Sequence, residues 1–348
     1  MSILQQVVTA VRHYADLPTC LLATCVCLLA YLYLRRPRNL PPGPRGWPLV
    51  GNIPMFAKSD FLPATLTELS KQYGDVMTIW TGGVPNIVLT GYETIRNALV
   101  KRAEDFSCRK IPPGIVDVRS DDANNVRGVI MAAYGPRWKQ QRKFALMTLR
   151  DFGVGKRSLE GKVNEEANAL VQEFLSQNGQ PFDLKVMMQN AVCNVICSIV
   201  FGDRFEYGDP DFLRLVGLLN ASVEAKPTFS DVLSMLHPVF RHLHLSKVSR
   251  QGKMVETILA LQEFGGEQIE KHRQTFDPND IRDFIDAFLL EQQRAEDEKA
   301  RENFADKDLQ EVLLDLFVAG TETTATATRW ALLYMMTNPE IKEKASFP

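Results

Sequence analysis

Apolar residues recur at three- and four-residue spacing along most of the chain from Phe61 onward, the period that puts one face of a helix against a core. The pattern predicts helices over Tyr92 to Val100, Arg137 to Leu149, Gly161 to Leu175, Val186 to Phe201, Asp211 to Val223, Gln251 to His272 and Pro278 to Glu298. Two short pieces break it, Val76 to Trp80 and Asn86 to Thr90, and Gly82-Gly83 between them predicts a hairpin turn. The body is therefore expected to be mainly α with a small β-sheet. No fixed-period repeat is visible, which argues against a helical solenoid.

The first long apolar stretch is of another kind. Leu17 to Leu34 holds no charge and only one helix breaker, Pro18, and as a helix it would reach ~27 Å at ~1.5 Å per residue. That is close to the ~30 Å of a bilayer core. Arg35, Arg36 and Arg38 follow it, against Arg12 and Asp16 before it, so the excess of positive charge places everything after residue 34 on the cytosolic side. A cleaved signal peptide would be shorter and end in small residues. Pro41-Pro42-Gly43-Pro44-Arg45-Gly46-Trp47-Pro48 comes next, a run in which fixed backbone dihedrals and missing donors exclude a helix and predict a stiff extended spacer. These features divide the chain into a membrane anchor over 1–36, a proline-rich hinge over 37–52 and one main domain over 53–348.

Composition removes several alternatives. The 348 residues are 45% hydrophobic and 24% charged, with a formal net charge of -2, enough apolar material for a sizeable core and no basic excess of the kind nucleic-acid binding needs. The six cysteines, Cys20, Cys25, Cys27, Cys108, Cys193 and Cys197, show neither the paired spacing of zinc ligands nor a disulfide framework. Cys193 and Cys197, at i and i+4, read as two small buried residues on one helix face. His237, His242 and His244 lie close together, but no carboxylate or thiol flanks them in a ligand pattern, so they read as a polar loop edge rather than a metal site.

The last helix carries the most information. Asp306-Lys307-Asp308 supplies caps and acidic charge at the positive end of the helix dipole. An apolar pattern then runs unbroken to Thr337 and stops at Asn338-Pro339. Such a helix would span ~45 Å and run through the core. At its centre stand Gly320 and the β-branched Thr321, Thr323, Thr324, Thr326 and Thr328, each a poorer helix former than Ala by a few tenths to ~1 kcal/mol. A helix that tolerates this at its middle suggests a site. Leu316, Ala319, Gly320, Thr323 and Ala327 share one stripe with Glu322 beside it. Thr323 can bend the helix by taking the carbonyl four residues back, which would open a groove lined by a hydroxyl. Glu322 has the chemistry to bring protons to it as a general acid. The alternative is a small-residue packing groove between helices.

Trp138 and Arg142 form a second constellation at i and i+4, an indole N–H and a guanidinium that together suit an anion. The alternative is a basic helix packed on its tryptophan. Arg137, Lys139, Lys143 and Arg150 around them would present positive charge to an acidic partner.

Together these residues resemble the microsomal cytochrome P-450 enzymes of family 2. The hinge is similar to their PPGP-x-x-W/LP-x-x-GN segment, and Ala319-Gly320-Thr321-Glu322-Thr323-Thr324 to their A-G-x-E/D-T-T signature. Trp138 to Arg142 matches their W-x-x-x-R pair, and Phe106-Ser107-Cys108-Arg109 their F-S-x-R segment. The run MTLRDFGVGKRSLE is also similar to theirs. The resemblance implies oxygen activation by Glu322 and Thr323 in a groove formed by Leu316, Ala319 and Gly320, and haem propionate binding by Arg109, Trp138 and Arg142. It further implies haem b, NADPH supplied through NADPH-cytochrome reductase, cytochrome b5 as a further donor, and a small apolar substrate such as a fatty acid, steroid or xenobiotic. The expected place is the endoplasmic reticulum membrane, in contact with its lipid, as a single-pass protein with its catalytic part cytosolic.

In this family a cysteine in an F-x-x-G-x-R-x-C-x-G loop holds the haem iron. None of the six cysteines has that context, so no metal ligand is assigned. Glu93/Arg96, Glu270/Arg273, Glu291/Arg294 and Glu298/Arg301 spell the family's E-x-x-R pair only by chance, since all precede the long helix and the family's pair follows it. Ala345-Ser346-Phe347-Pro348 breaks the amphipathic pattern after Lys344, as alternative splicing, intron read-through or an incomplete gene model would. The expectation is an incomplete cytochrome P-450 fold behind an N-terminal transmembrane helix, inactive in this truncated form. The alternative is a catalytically dead, membrane-anchored fragment that binds the redox partner.

Overall fold

The computed structural model describes residues 17–34, 37, 39–48, 50–57, 59, 61–108, 116, 118–120, 126–224, 250–295 and 303–345. The chain forms two compact units, one of residues 1–106 with 227–249 and the other of 107–226 with 250–348.

In the first unit, α1 (Leu17–Leu34) forms over the charge-free stretch, and its side chains, where described, are exposed. Among the described residues no helix is long and apolar enough to cross a membrane. The 18 residues of α1 reach ~27 Å, a little short of the ~30 Å of a bilayer core. After a helical turn at Ile53–Phe56 come α2 (Leu62–Tyr73), β1 (Val76–Thr81) and β2 (Val84–Leu89). The strands pair antiparallel from Val76↔Leu89 to Thr81↔Val84, with Gly82 at φ +60° in the turn between them, as the glycine pair predicts. The predicted helix from Tyr92 is α3 (Tyr92–Arg96), which widens into a π-helical turn over Asn97–Lys101.

The proline-rich segment is extended, but it does not stand free as a spacer. Proline removes donors and leaves carbonyls, and these carbonyls are used. Thr78 N donates to Pro42 O at 2.9 Å and Thr78 Oγ1 to Pro41 O at 2.7 Å. Asn52 and Trp80 then exchange two bonds, Asn52 N to Trp80 O at 2.6 Å and Trp80 N to Asn52 Oδ1 at 2.8 Å. Gly43 makes the approach possible, since a Cβ there would stand 2.0 Å from Thr78 O.

The second unit is helical: α4 (Pro136–Asp151), α5 (Glu160–Ser176), α6 (Leu184–Val200), α7 (Pro210–Glu224), α8 (Arg250–Thr275), α9 (Phe284–Arg294), α10 (Asp306–Thr337) and α11 (Pro339–Ala345). The helix expected from Pro278 begins only at Phe284. Asp277 Oδ1 takes Asn279 N at 2.9 Å and turns the chain, and Asp283 then caps α9 by accepting Asp286 N at 3.0 Å. The core lies where α6, α8 and α9 meet the first half of α10. Phe144 sits edge-on to Phe284, Phe288 and Phe304 at 5.4–5.6 Å, and Phe201 faces Phe317 at 5.3 Å. Cys193 and Cys197 are fully buried in this core, and burial together with the neighbouring Cys193 sulfur pushes the Cys197 thiol well up, so it behaves as a small apolar side chain. Lys162 closes the end of α6 by donating from Nζ to Ser198 O and, at 3.4 Å, to Gly202 O.

His272 ties α8 to the start of α9. Its Nδ1 faces Gln268 O at 2.8 Å and its Nε2 faces Asp283 Oδ2 at 3.1 Å. Burial disfavours the imidazolium, but two acceptors on the two ring nitrogens favour it more, and the pKa ends above the ordinary 6.5. A raised folded-state value gives stability that is complete below the unfolded pKa and is lost as pH rises through the folded one. His272→Gln is therefore expected to lower the melting temperature more at pH 6 than at pH 9. Equal losses at the two pH values would mean that this imidazole carries no charge in the fold.

Candidate active site

The long helix is buried over only part of its length. Asp308 to Asp315, except for Gln310, is buried along with Phe317, Thr321 and Ala325, whereas every residue from Thr326 to Thr337 is half-buried or exposed. The sequence predicts a helix that runs through the core from end to end. In the second half no described element covers the apolar face, and Trp330, Tyr334 and Met336 stand open.

The stripe expected to form the groove splits between two sides. Ala319, Thr323 and Ala327 are exposed and Leu316 is half-buried against the core. Gly320 instead faces α6, where an added Cβ would lie 2.9 Å from Ile196 Cδ1 and 3.2 Å from its Cγ1. At this position the packing reading holds: hydrogen in place of a side chain lets two helices approach. Gly320→Val is expected to destabilise by ~1–3 kcal/mol through overpacking. Ile196→Ala in the same chain should recover part of the loss in urea unfolding. No recovery would break the link between these two residues.

Thr323 Oγ1 donates to Ala319 O at 2.6 Å, the back-bond that bends helices. Its two lone pairs stay open on the exposed side. Glu322 points the other way. Its Oε1 accepts Thr326 Oγ1 at 3.1 Å and its Oε2 accepts Gln189 Nε2 of α6, which leaves the carboxylate half-buried and fixed between helices.

On α4, Trp138, Arg142, Lys143, Leu146 and Met147 with Lys139 line a shallow, open concavity. Its floor is apolar, with Leu146 and Met147 more than half exposed, and its rim is cationic. Trp138, expected to share in anion binding, donates from Nε1 to Val129 O at 2.9 Å. Arg142 lies over the indole at 5.4 Å and has no hydrogen bond or ion pair among the described residues. A flat apolar ring with carboxylates on one edge, such as haem, fits this floor and rim. The fit ends there. Cys193 and Cys197 face the core and Cys108 has no glycine-rich loop, so no thiolate ligand is assigned. Of the charges expected to meet an acidic partner, Lys139, Lys143 and Arg150 are exposed, but Arg137 is bound to Asp308 at 2.5 Å. Arg109 and the three histidines His237, His242 and His244 lie outside the described residues.

A set of residues that sequence reasoning missed fixes the first half of α10. Asp308, Glu311 and Asp315, spaced three and four apart, are buried on one stripe. Asp308 reaches back to Ala305 N at 3.2 Å and pairs with Arg127 at 3.0 Å as well as with Arg137. Arg119, 5% exposed, donates to Glu311 and, at 2.7 Å, to Asp315. Gly128, at φ +90°, turns the chain so that Val129 N and Ile130 N both reach Asp315 Oδ2, at 2.7 and 2.9 Å. Burial raises the pKa of Asp308 and of Glu311, and the arginines offset it only in part. The sequence signal was present as three acids at helical spacing in an apolar run, but their partners are up to 196 residues away.

The sequence model of the cytochrome P-450 family matches residues 41–346, and the chain belongs to that family. It is 38% identical to cytochrome P-450 2C1 of Oryctolagus cuniculus over 94% of this chain and 65% of the relative. Identity to cytochrome P-450 2C23 of Rattus norvegicus is 38% over 92% and 63%, and to cytochrome P-450 2B4 of Oryctolagus cuniculus 40% over 93% and 64%. The chain thus spans slightly less than two thirds of the length of these curated relatives.

Proposed function

We propose that these residues belong to a haem-dependent monooxygenase of small apolar molecules, fatty acids, steroids or xenobiotics among them. The observation that carries the reading is the centre of α10, where a fixed half-buried carboxylate, Glu322, adjoins the exposed hydroxyl and small side chains of Thr323, Ala319 and Ala327. When bound, the haem supplies the activation of dioxygen. The chain supplies the rest. Arg142, with Lys139 and Lys143 at the rim, would hold the propionates, and by family resemblance Arg109 would join them. Leu146 and Met147 would form the apolar floor under the ring. Thr323 Oγ1, whose hydrogen is held by Ala319 O, would accept a hydrogen bond on the open side, and Glu322 would be the group that supplies the proton.

The domain plan follows from the same reading: an anchor over 1–36, a connecting segment over 37–52 and the catalytic part from 53 onward. The charge-free α1 and the arginines after it favour single-pass attachment to the endoplasmic reticulum membrane with the body in the cytosol. Lys139, Lys143 and Arg150 favour docking of an acidic electron donor, an NADPH-dependent reductase or cytochrome b5. The test is a haem titration of the expressed protein followed by absorption. Arg142→Leu is expected to weaken haem retention at least tenfold, and an unchanged affinity would remove the concavity on α4 from the site.

A further inference from the structure

Behind Glu322, on the side away from Thr323, a partly enclosed cavity the size of a water molecule lies between α6, α7 and α10. Leu219 and Phe317 form its apolar walls, and Gln189, Asn220, Thr321 and Glu322 its polar ones. Two of these residues are nine-tenths or more buried and carry an atom with no hydrogen-bond partner. Gln189 is 4% exposed and its Oε1 is unpartnered, and Thr321 is 5% exposed and its Oγ1 is unpartnered.

Thr321 is buried, whereas the other threonines of α10 are half-buried or exposed. Thr323, Thr328 and Thr337 satisfy their hydroxyls on the carbonyl four residues back, and Thr326 satisfies its own on Glu322. Thr321 does neither. For Gln189 the bond to Glu322 decides the orientation of the amide: Glu322 Oε2 accepts from Nε2, so Oε1 is left over. A buried acceptor and a buried hydroxyl left open disfavour the fold, and a water with two to four polar partners removes that cost.

We infer that this cavity binds one ordered water, held by Gln189 Oε1 and Thr321 Oγ1 beside the Glu322 carboxylate. Gln189 and Thr321 are then positioning residues: Gln189 orients the carboxylate directly, and Thr321 orients it through the water. The consequence for catalysis rests on the role proposed above for Glu322, but the site itself does not.

Crystals of wild type and Thr321→Val, with infrared spectra of the same proteins, test the inference. The Glu322 band is identified by its loss in Glu322→Gln. Wild type is expected to show water density within hydrogen-bond distance of Thr321 Oγ1 and Gln189 Oε1. Thr321→Val, which keeps the shape and removes the hydroxyl, should lose the density and shift the Glu322 band. Thr321→Ser should restore both, and this variant, compared with wild type, carries the test if the valine protein does not fold. A dry cavity in wild type, an unmoved band in Thr321→Val or a lost water in Thr321→Ser overturns the proposal. Unchanged turnover in Glu322→Gln alongside a water that behaves as described would sink the proton-donor role and leave the site standing.

Discussion

Arg119→Met is expected to cost about 3–5 kcal/mol of stability, the range for breaking a buried charge cluster by removing one partner. Arg119 neutralises Glu311 and Asp315 inside the second unit, where its guanidinium is 5% exposed. Its loss leaves two carboxylates without the cation that pairs with both, while Arg127 and Arg137 serve Asp308. Asp315 keeps the N–H groups of Val129 and Ile130 and Glu311 keeps Gln262 at 2.5 Å, but neither donor carries a charge. Adding Glu311→Leu should therefore recover a large part of the loss, whereas Asp315→Leu should not, since it abandons two backbone donors. Urea midpoints of the three variants decide the matter. The pH dependence has a definite sign. Burial already lifts Glu311 above the ordinary 4.5, and without Arg119 it moves further up, so ionising it is what costs the fold. The penalty of Arg119→Met is largest near neutral pH and shrinks as pH falls below the unfolded value, where Glu311 is protonated in both states. A penalty independent of pH would remove the charge argument.

The second large effect concerns turnover. On the proposed function, in a haem-loaded protein that carries these residues within a full-length family domain, Glu322→Gln should lower kcat by roughly 10²–10⁴, the contribution of a positioned proton donor, with little change in KM because the side chain faces Gln189 and Thr326 rather than the open stripe. The amide matches the carboxylate in shape and can still accept from Gln189, so a packing role would leave kcat almost intact. Thr323→Val should act on the same step, and Thr323→Ser should restore it. An effect of Glu322→Gln on KM alone would assign this residue to substrate binding instead.

Local chemistry was readable where it acts over a few residues. The Gly82-Gly83 turn, the start of α10 at Asp306 and its end before Asn338-Pro339 all formed where the sequence put them. The start of α9 was misread because Asp277 and Asp283 compete for backbone N–H groups across a stretch whose apolar spacing alone looks helical. The same limit applies to the candidate site. Ala319 and Thr323 lie on the open side of their helix as the stripe implies, but whether Gly320 serves a groove or a packing contact depends on Ile196, more than a hundred residues earlier. Asp308 was read as a capping acid, and it is one. What no spacing rule supplies is that Arg127 and Arg137 also converge on it.

The bonds between Pro41, Pro42 and Thr78 set the length of a leash. Counted from Leu34, where α1 ends, to Pro41, where the chain is first fastened to β1, there are only seven Cα-to-Cα steps, about 25 Å at full stretch. Any force that grips α1 therefore reaches the hairpin once those seven steps are drawn straight.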